Sequence, residues 1–127
     1  MSKHLTITFF KVREICEVII SGTQPMQNSS VMNKHSQVLE EKMAWAKFWI
    51  GKGLSAIEQL LSRSSGKYCV GDSVTMADCC LVPQVYNANI RFKVDMSNFP
   101  TINRIIKNLE QIEAVIASHP DNQPDKQ

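Results

Sequence analysis

Long apolar runs are missing from this chain. No stretch approaches the ~18 uninterrupted apolar residues that a membrane span requires. An excess of one charge is missing as well. Fourteen Lys and Arg stand against twelve Asp and Glu, and the net charge of +2 is too slight to argue for nucleic acid or an anionic membrane. Glycine and proline are sparse at five each, and β-branched alternation is nearly confined to residues 5–9, so a sheet has little to be built from. The four cysteines, Cys16, Cys69, Cys79 and Cys80, contain no C-x-x-C and no metal spacing. They read first as buried, reduced thiols acting as small hydrophobes, ahead of a zinc site or a redox pair. No metal is expected. The three histidines, His4, His35 and His119, are dispersed without a partnering Cys, Asp or Ser.

A targeting segment is not expected either. Lys3 and His4 precede Leu5, Ile7, Phe9 and Phe10, but Thr6 and Thr8 interrupt that short run and no small-residue cleavage site follows. The chain is read as cytoplasmic. At 127 residues, 43% of them apolar and 20% charged, it fits one ordinary globular domain.

What is present is helical periodicity. Val12, Ile15, Cys16 and Ile19 form one stripe, which Gly22 and Pro25 interrupt. Pro removes a backbone donor and crowds the preceding turn, so a helix continuing over residues 26–34 should kink near 21–22. The longest helix is expected over 37–62, with Leu39, Met43, Ala46, Ile50, Gly53, Leu54, Ile57 and Leu61 on one face. Trp45, Phe48 and Trp49 widen that face and read as core. Gly51 and Gly53 each cost about 1 kcal/mol in a helix interior, which close approach of another helix would offset. A connector follows over 64–74, a third helix over 76–87, an irregular stretch over 91–100, and one further helix over 101–118 with Pro100 in its first turn. The expected fold class is all-α, a bundle of four or five helices.

One helix start is unusually complete. In Val74-Thr75-Met76-Ala77-Asp78-Cys79, Thr75 and Asp78 can form a capping box, and Val74 and Cys79 a hydrophobic staple. Asp78 also sits at the positive end of the helix dipole. Its first reading is structural, not catalytic.

The capping-box segment Gly71-Asp72-x-Val74-Thr75-Met76-Ala77-Asp78 resembles that of glutathione transferase C-terminal domains. More specific words surround it: Gln24-Pro25-x-Gln27-Asn28, Tyr68-Cys69-Val70-Gly71-Asp72, Cys80-Leu81-Val82-Pro83-Gln84-Val85, Arg91-Phe92-Lys93-Val94-Asp95, Pro100-Thr101-Ile102 and Ser118-His119-Pro120. Together, across residues 12–125, they are similar to the zeta class. That resemblance implies cytoplasmic dimers that use glutathione to isomerise maleylacetoacetate to fumarylacetoacetate in tyrosine and phenylalanine breakdown, and that also act on small α-halo acids. It implies an activating serine, within a Ser-Ser-Cys run, on an N-terminal thioredoxin-like domain.

On this reading the chain is the helical C-terminal half, without the domain that activates glutathione. Neither Ser29-Ser30 nor Ser64-Ser65 is followed by Cys, and Val82-Pro83 lies inside a helix instead of preceding a strand. No catalytic residue is expected here. The implied division is 1–11 as a non-family beginning, 12–118 as the helical domain and 119–127 as a flexible tail.

The resemblance also implies binding residues. Gln24, Asn28 and Ser30 match positions that supply a minor part of the glutathione site, and Ser29 stands where a leucine is usual. Amides and hydroxyls both donate and accept, which suits a peptide-like cofactor; local capping around Pro25 is the plainer alternative. Arg91 matches the position facing an acidic substrate, where a guanidinium can hold a carboxylate through two bonds; a solvated loop Arg is the alternative. The segment Asn87-Ala88-Asn89-Ile90-Arg91 is one residue longer than the family pattern, which bears on where Arg91 aims. A helical interaction or scaffold domain is the competing function.

Overall fold

The computed structural model describes residues 2–126; Met1 and Gln127, the outer ends of the two expected terminal segments, lie outside the described residues. Among the described residues there are six α-helices: α1 (Lys3–Glu17), α2 (Ser29–His35), α3 (Leu39–Ser64), α4 (Met76–Tyr86), α5 (Pro100–Leu109) and α6 (Glu113–Ser118). The only pairing of strand type among them is a single bridge between Ser65 and Gly71. The all-α expectation holds, with more helical pieces than the periodicity resolves.

The spine is α3. Its Ala46, Ile50, Leu54, Ile57 and Leu61 are fully buried, against Ile15, Cys16 and Ile19 on one side and Ile102, Ile105 and Leu109 of α5 on the other. Each such Leu or Ile contributes about 1.5–3 kcal/mol on burial. Ala77, Leu81 and Val85 of α4 complete the core, and α4 packs along α1. Leu39 and Phe48, assigned to the core by periodicity, are instead exposed at 67% and 62%, because the packed arc of α3 faces α1, the segment after it, α2 and α5. Gly53 meets its expectation: a Cβ there would lie 2.1 Å from the Thr23 hydroxyl oxygen. Gly51 does not, since nothing lies within 4 Å of its Cβ position.

The first helix begins earlier than the 12–19 stripe suggests. Ser2 caps it by accepting from the Leu5 N–H at 3.3 Å, and the Thr6 and Thr8 hydroxyls bond back to the carbonyls of Ser2 and His4. Leu5, Phe9, Val12 and Cys16 then follow one another at i, i+4, i+7 and i+11, and this period wins over the short β-like alternation of residues 5–9.

The expected helix over 101–118 is two. The chain leaves the helix after Leu109, turns through Glu110 and Gln111, is extended at Ile112 (φ −87°, ψ 125°), then restarts as α6. Apolar residues keep their spacing across the break and no Gly or Pro marks it, so the pattern cannot reveal it. Residues 119–126, expected as a tail, turn once at Pro120–Asn122 and return to α6 through Asn122 and Gln123 side chains bonded to the Ile116 and Ala117 carbonyls.

Two carboxylates organise the connections. The capping box at Thr75 forms, and Asp78 does more than cap. One of its oxygens accepts from the Thr75 N–H (2.8 Å) and hydroxyl (3.1 Å), the other from the Cys69 N–H (2.9 Å), so the connector is tied to the start of α4. Glu58 of α3 caps α5 from a distance, accepting from the Thr101 and Ile102 N–H groups at 2.7 and 2.9 Å. The cysteines are only partly as expected. Cys16 and Cys69 are buried, but Cys80 is half-buried and Cys79 is exposed, because consecutive helix residues cannot share the inward face.

Candidate functional site

Pro25 decides the geometry of the first site segment. Its missing N–H and its ring disrupt the helical ladder upstream. The chain responds with a π-helical turn over Val18–Thr23, then a 3-10 turn over Gln24–Gln27. The expected kink is therefore a widened turn followed by a tightened one. The Thr23 hydroxyl bonds to the Val18 carbonyl at 2.8 Å, and Glu17 accepts from Ser21 (2.7 Å) and Arg13 (3.2 Å) beside it. The Ser21 hydroxyl, with Arg13 second, holds the Glu17 carboxyl below its usual range.

Past the turn, Asn28 is extended (φ −66°, ψ 137°) and caps α2. Its side-chain oxygen accepts from the Ser30 N–H at 2.9 Å and the Ser30 hydroxyl at 2.7 Å. Both residues are exposed, as is Ser29, while Gln24 is half-buried. The segment is held in place from three sides. Trp45 of α3 donates its indole N–H to the Met26 carbonyl at 2.9 Å. Gln27 and Gln84 exchange two amide bonds of 3.0 Å in the interior, 57 positions apart. Thr23 rests on Gly53.

The second wall is the end of α4. Pro83 lies within that helix, which passes into another π-helical turn over Asn87–Arg91. The Phe92 N–H bonds to the Asn87 carbonyl at 3.0 Å, and Lys93 takes a left-handed conformation (φ 53°) as the chain turns away. A π turn takes up one residue more than an α turn over nearly the same rise, which is how a segment one residue longer than the family pattern would be accommodated. Arg91 then reaches the first wall. Its guanidinium donates to the Ser29 hydroxyl at 3.4 Å and lies 5.0 Å from the ring centre of buried Phe92.

The structure thus brings Ser29 and Arg91 together, with Asn28 and Ser30 in the adjoining cap and Gln24 one turn back. The rim is open and exposed. It can offer amide and hydroxyl bonds to a peptide-like ligand and one fixed positive charge to a carboxylate. Sequence reasoning missed the Gln27–Gln84 pair and Trp45. A glutamine in the apolar stripe Ala77, Leu81, Val85, Ala88 was the available signal, because a polar side chain at such a position needs a partner.

A separate cavity of about 570 Å³ lies between α4 and α6, lined by residues including Val74, Cys79, Val82, Tyr86, Val115 and His119. It includes none of Gln24, Asn28, Ser29, Ser30 or Arg91. Val74 and Cys79 border it together, so the expected staple faces this space. No group of three His, Cys, Asp or Glu suited to a metal occurs among the described residues.

The chain is similar to proteins already known. Residues 24–118 match the family described as glutathione S-transferase, C-terminal domain. A probable maleylacetoacetate isomerase 2 of Drosophila melanogaster is 55% identical over 115 residues, covering 91% of this chain and 49% of that protein. The maleylacetoacetate isomerase of Mus musculus is 53% identical over 114 residues, covering 90% and 51%. The crystal structure of a maleylacetoacetate isomerase from Anaeromyxobacter dehalogenans, with dicarboxyethyl glutathione and citrate in its active site, superimposes with a TM-score of 0.87 at 41% identity, over 92% of this chain and 53% of that one. The chain spans about half the length of the curated relatives it matches. It belongs to the glutathione S-transferase C-terminal domain family and groups there with the zeta-class maleylacetoacetate isomerases.

Proposed function

We propose that this chain is the helical part of a glutathione-dependent isomerase acting on maleylacetoacetate in tyrosine breakdown, within a cytoplasmic dimer. Gln24, Asn28, Ser29 and Ser30 form a minor glutathione-facing wall, and Arg91 holds a carboxylate of a small acidic substrate. The observation that carries this reading is the meeting of Arg91 and Ser29, 62 positions apart in sequence. In the reaction, the glutathione thiolate adds to the conjugated double bond. The resulting single bond rotates, and elimination restores the double bond and releases glutathione unchanged. Activation of the thiol is assigned to a thioredoxin-like domain, so this chain alone binds glutathione weakly and turns over nothing.

Titration of the labelled chain by NMR tests the assignment. Glutathione should shift amides around residues 24–30, and maleate should shift those around Arg91, with millimolar affinities. Arg91→Gln should abolish the maleate shifts while leaving the melting temperature unchanged. Absence of any shift, or isomerase turnover by the chain alone, would sink it. The exposed Leu5, Phe9 and Phe10 on α1 favour a second reading, a helical interaction module, which predicts association through that face and no glutathione response.

A further inference from the structure

The two helices that carry the walls of the candidate site touch through a pair of thiols. Cys16 lies in the last turn of α1 and Cys80 in the second turn of α4, and their sulfurs are 3.8 Å apart across 64 positions of sequence. A disulfide requires an approach roughly 1.7 Å closer, within reach of side-chain rotation and a small shift of packed helices. The two cysteines are unequally placed. Cys80 is half-buried, whereas Cys16 is only 6% exposed. Burial, with the Cys80 sulfur beside it, pushes the Cys16 thiol up to about 11. Neither remaining cysteine is equivalent. Cys79 borders the cavity between α4 and α6, and Cys69 is fully buried against the Asp78 carboxylate.

We propose that Cys16 and Cys80 are an oxidative modification site, joined by hydrogen peroxide into a disulfide that links α1 to α4. The Cys80 thiolate attacks the peroxide. An S–O bond forms, the O–O bond breaks, and the departing oxygen leaves as water after taking a proton, so Cys80 becomes a sulfenic acid. Cys16 then attacks the Cys80 sulfur. The S–S bond forms, the S–O bond breaks, and hydroxide leaves with the Cys16 proton as a second water. Two thiols and one peroxide thus give one disulfide and two waters. The low ionisation of Cys16 slows its attack, and its contact with Cys80 offsets this through proximity. The consequence is positional. The α1 helix runs through Val18–Thr23 into the Gln24–Ser30 wall, and α4 runs through Asn87–Arg91 into the other, so the new bond fixes the spacing of the two walls. The proposal stands whether or not the chain serves a glutathione-dependent enzyme.

The reduced full chain is treated with hydrogen peroxide, its remaining thiols are alkylated, and its unreduced peptides are mapped by mass spectrometry. The expected product has lost two hydrogens and joins the Cys16 peptide to the Cys80 peptide. Cys79→Ser and Cys69→Ala each retain the link, and Cys80→Ser, at a half-buried position, abolishes it. Linked chain melts higher than reduced chain by on the order of 10 °C, and dithiothreitol reverses the shift. Cross-linking of Cys16 that persists in Cys80→Ser overturns the assignment. So does oxidation that stops at Cys80 sulfinic acid, or that gives only intermolecular Cys79 dimers.

Discussion

Single side chains in this molecule hold distant backbone groups. Asp78 is 1% exposed and accepts from Thr75 and Cys69, on two different segments, so its removal leaves buried N–H groups without partners. Asp78→Ala is expected to destabilise the chain by about 2–3 kcal/mol in urea melts, more than an ordinary cap. The capping box was legible in the sequence because its spacing is local. The bond to Cys69 was not, since nothing local tells which turn will pack on the cap. Cys16 gives a pH prediction. Burial, followed by the Cys80 sulfur, raises its thiol from the ordinary 9.0 to about 11. The folded state therefore holds a proton that the unfolded state has released, and stability is full below pH 9.0 and falls as pH rises toward 11. Cys16→Ala should flatten that part of a stability-versus-pH curve; an unchanged slope would assign it to other groups.

At the scale of elements, two glycines separated by one residue of α3 have opposite prospects. Gly53 faces Thr23 across a close helix contact, so Gly53→Leu should cost about 2–3 kcal/mol by overpacking. Gly51 faces open space, so Gly51→Ala should stabilise by up to about 1 kcal/mol through helix propensity. Composition and spacing treat the two alike; only the neighbour distinguishes them. The start of α5 makes the same point. Pro100 marks the boundary in the sequence, but the cap comes from Glu58, more than forty positions earlier. Glu58→Ala should lose about 1–2 kcal/mol and speed hydrogen exchange at the Thr101 and Ile102 amides first. Helix existence was legible from the 3.6-residue period. The break at Ile112 was not, because the apolar spacing continues through it. The candidate site residues were named only through their family words, since Gln24, Asn28, Ser30 and Arg91 carry no periodic signal, and the contact of Arg91 with Ser29 forms between the ends of two π turns.

For the molecule as a whole, the core closes around α3 and leaves apolar surface at the outer half of α1, where Phe9 and Phe10 are 57% and 63% exposed. Replacing both with Ser should move the melting temperature by no more than about 3 °C, while lowering self-association in sedimentation velocity. A large loss of stability would mean that these rings are core after all. Gln27 and Gln84 fasten the first wall of the site to α4 through two amide bonds and no charge. Neither amide titrates. The fastening is therefore silent to acid, to base and to added salt. A pH profile measured for a ligand at the Gln24–Ser30 wall would report the ionisation of the ligand, its thiol or its carboxylates, and of Glu17 in the turn before it, but not of the fastening itself.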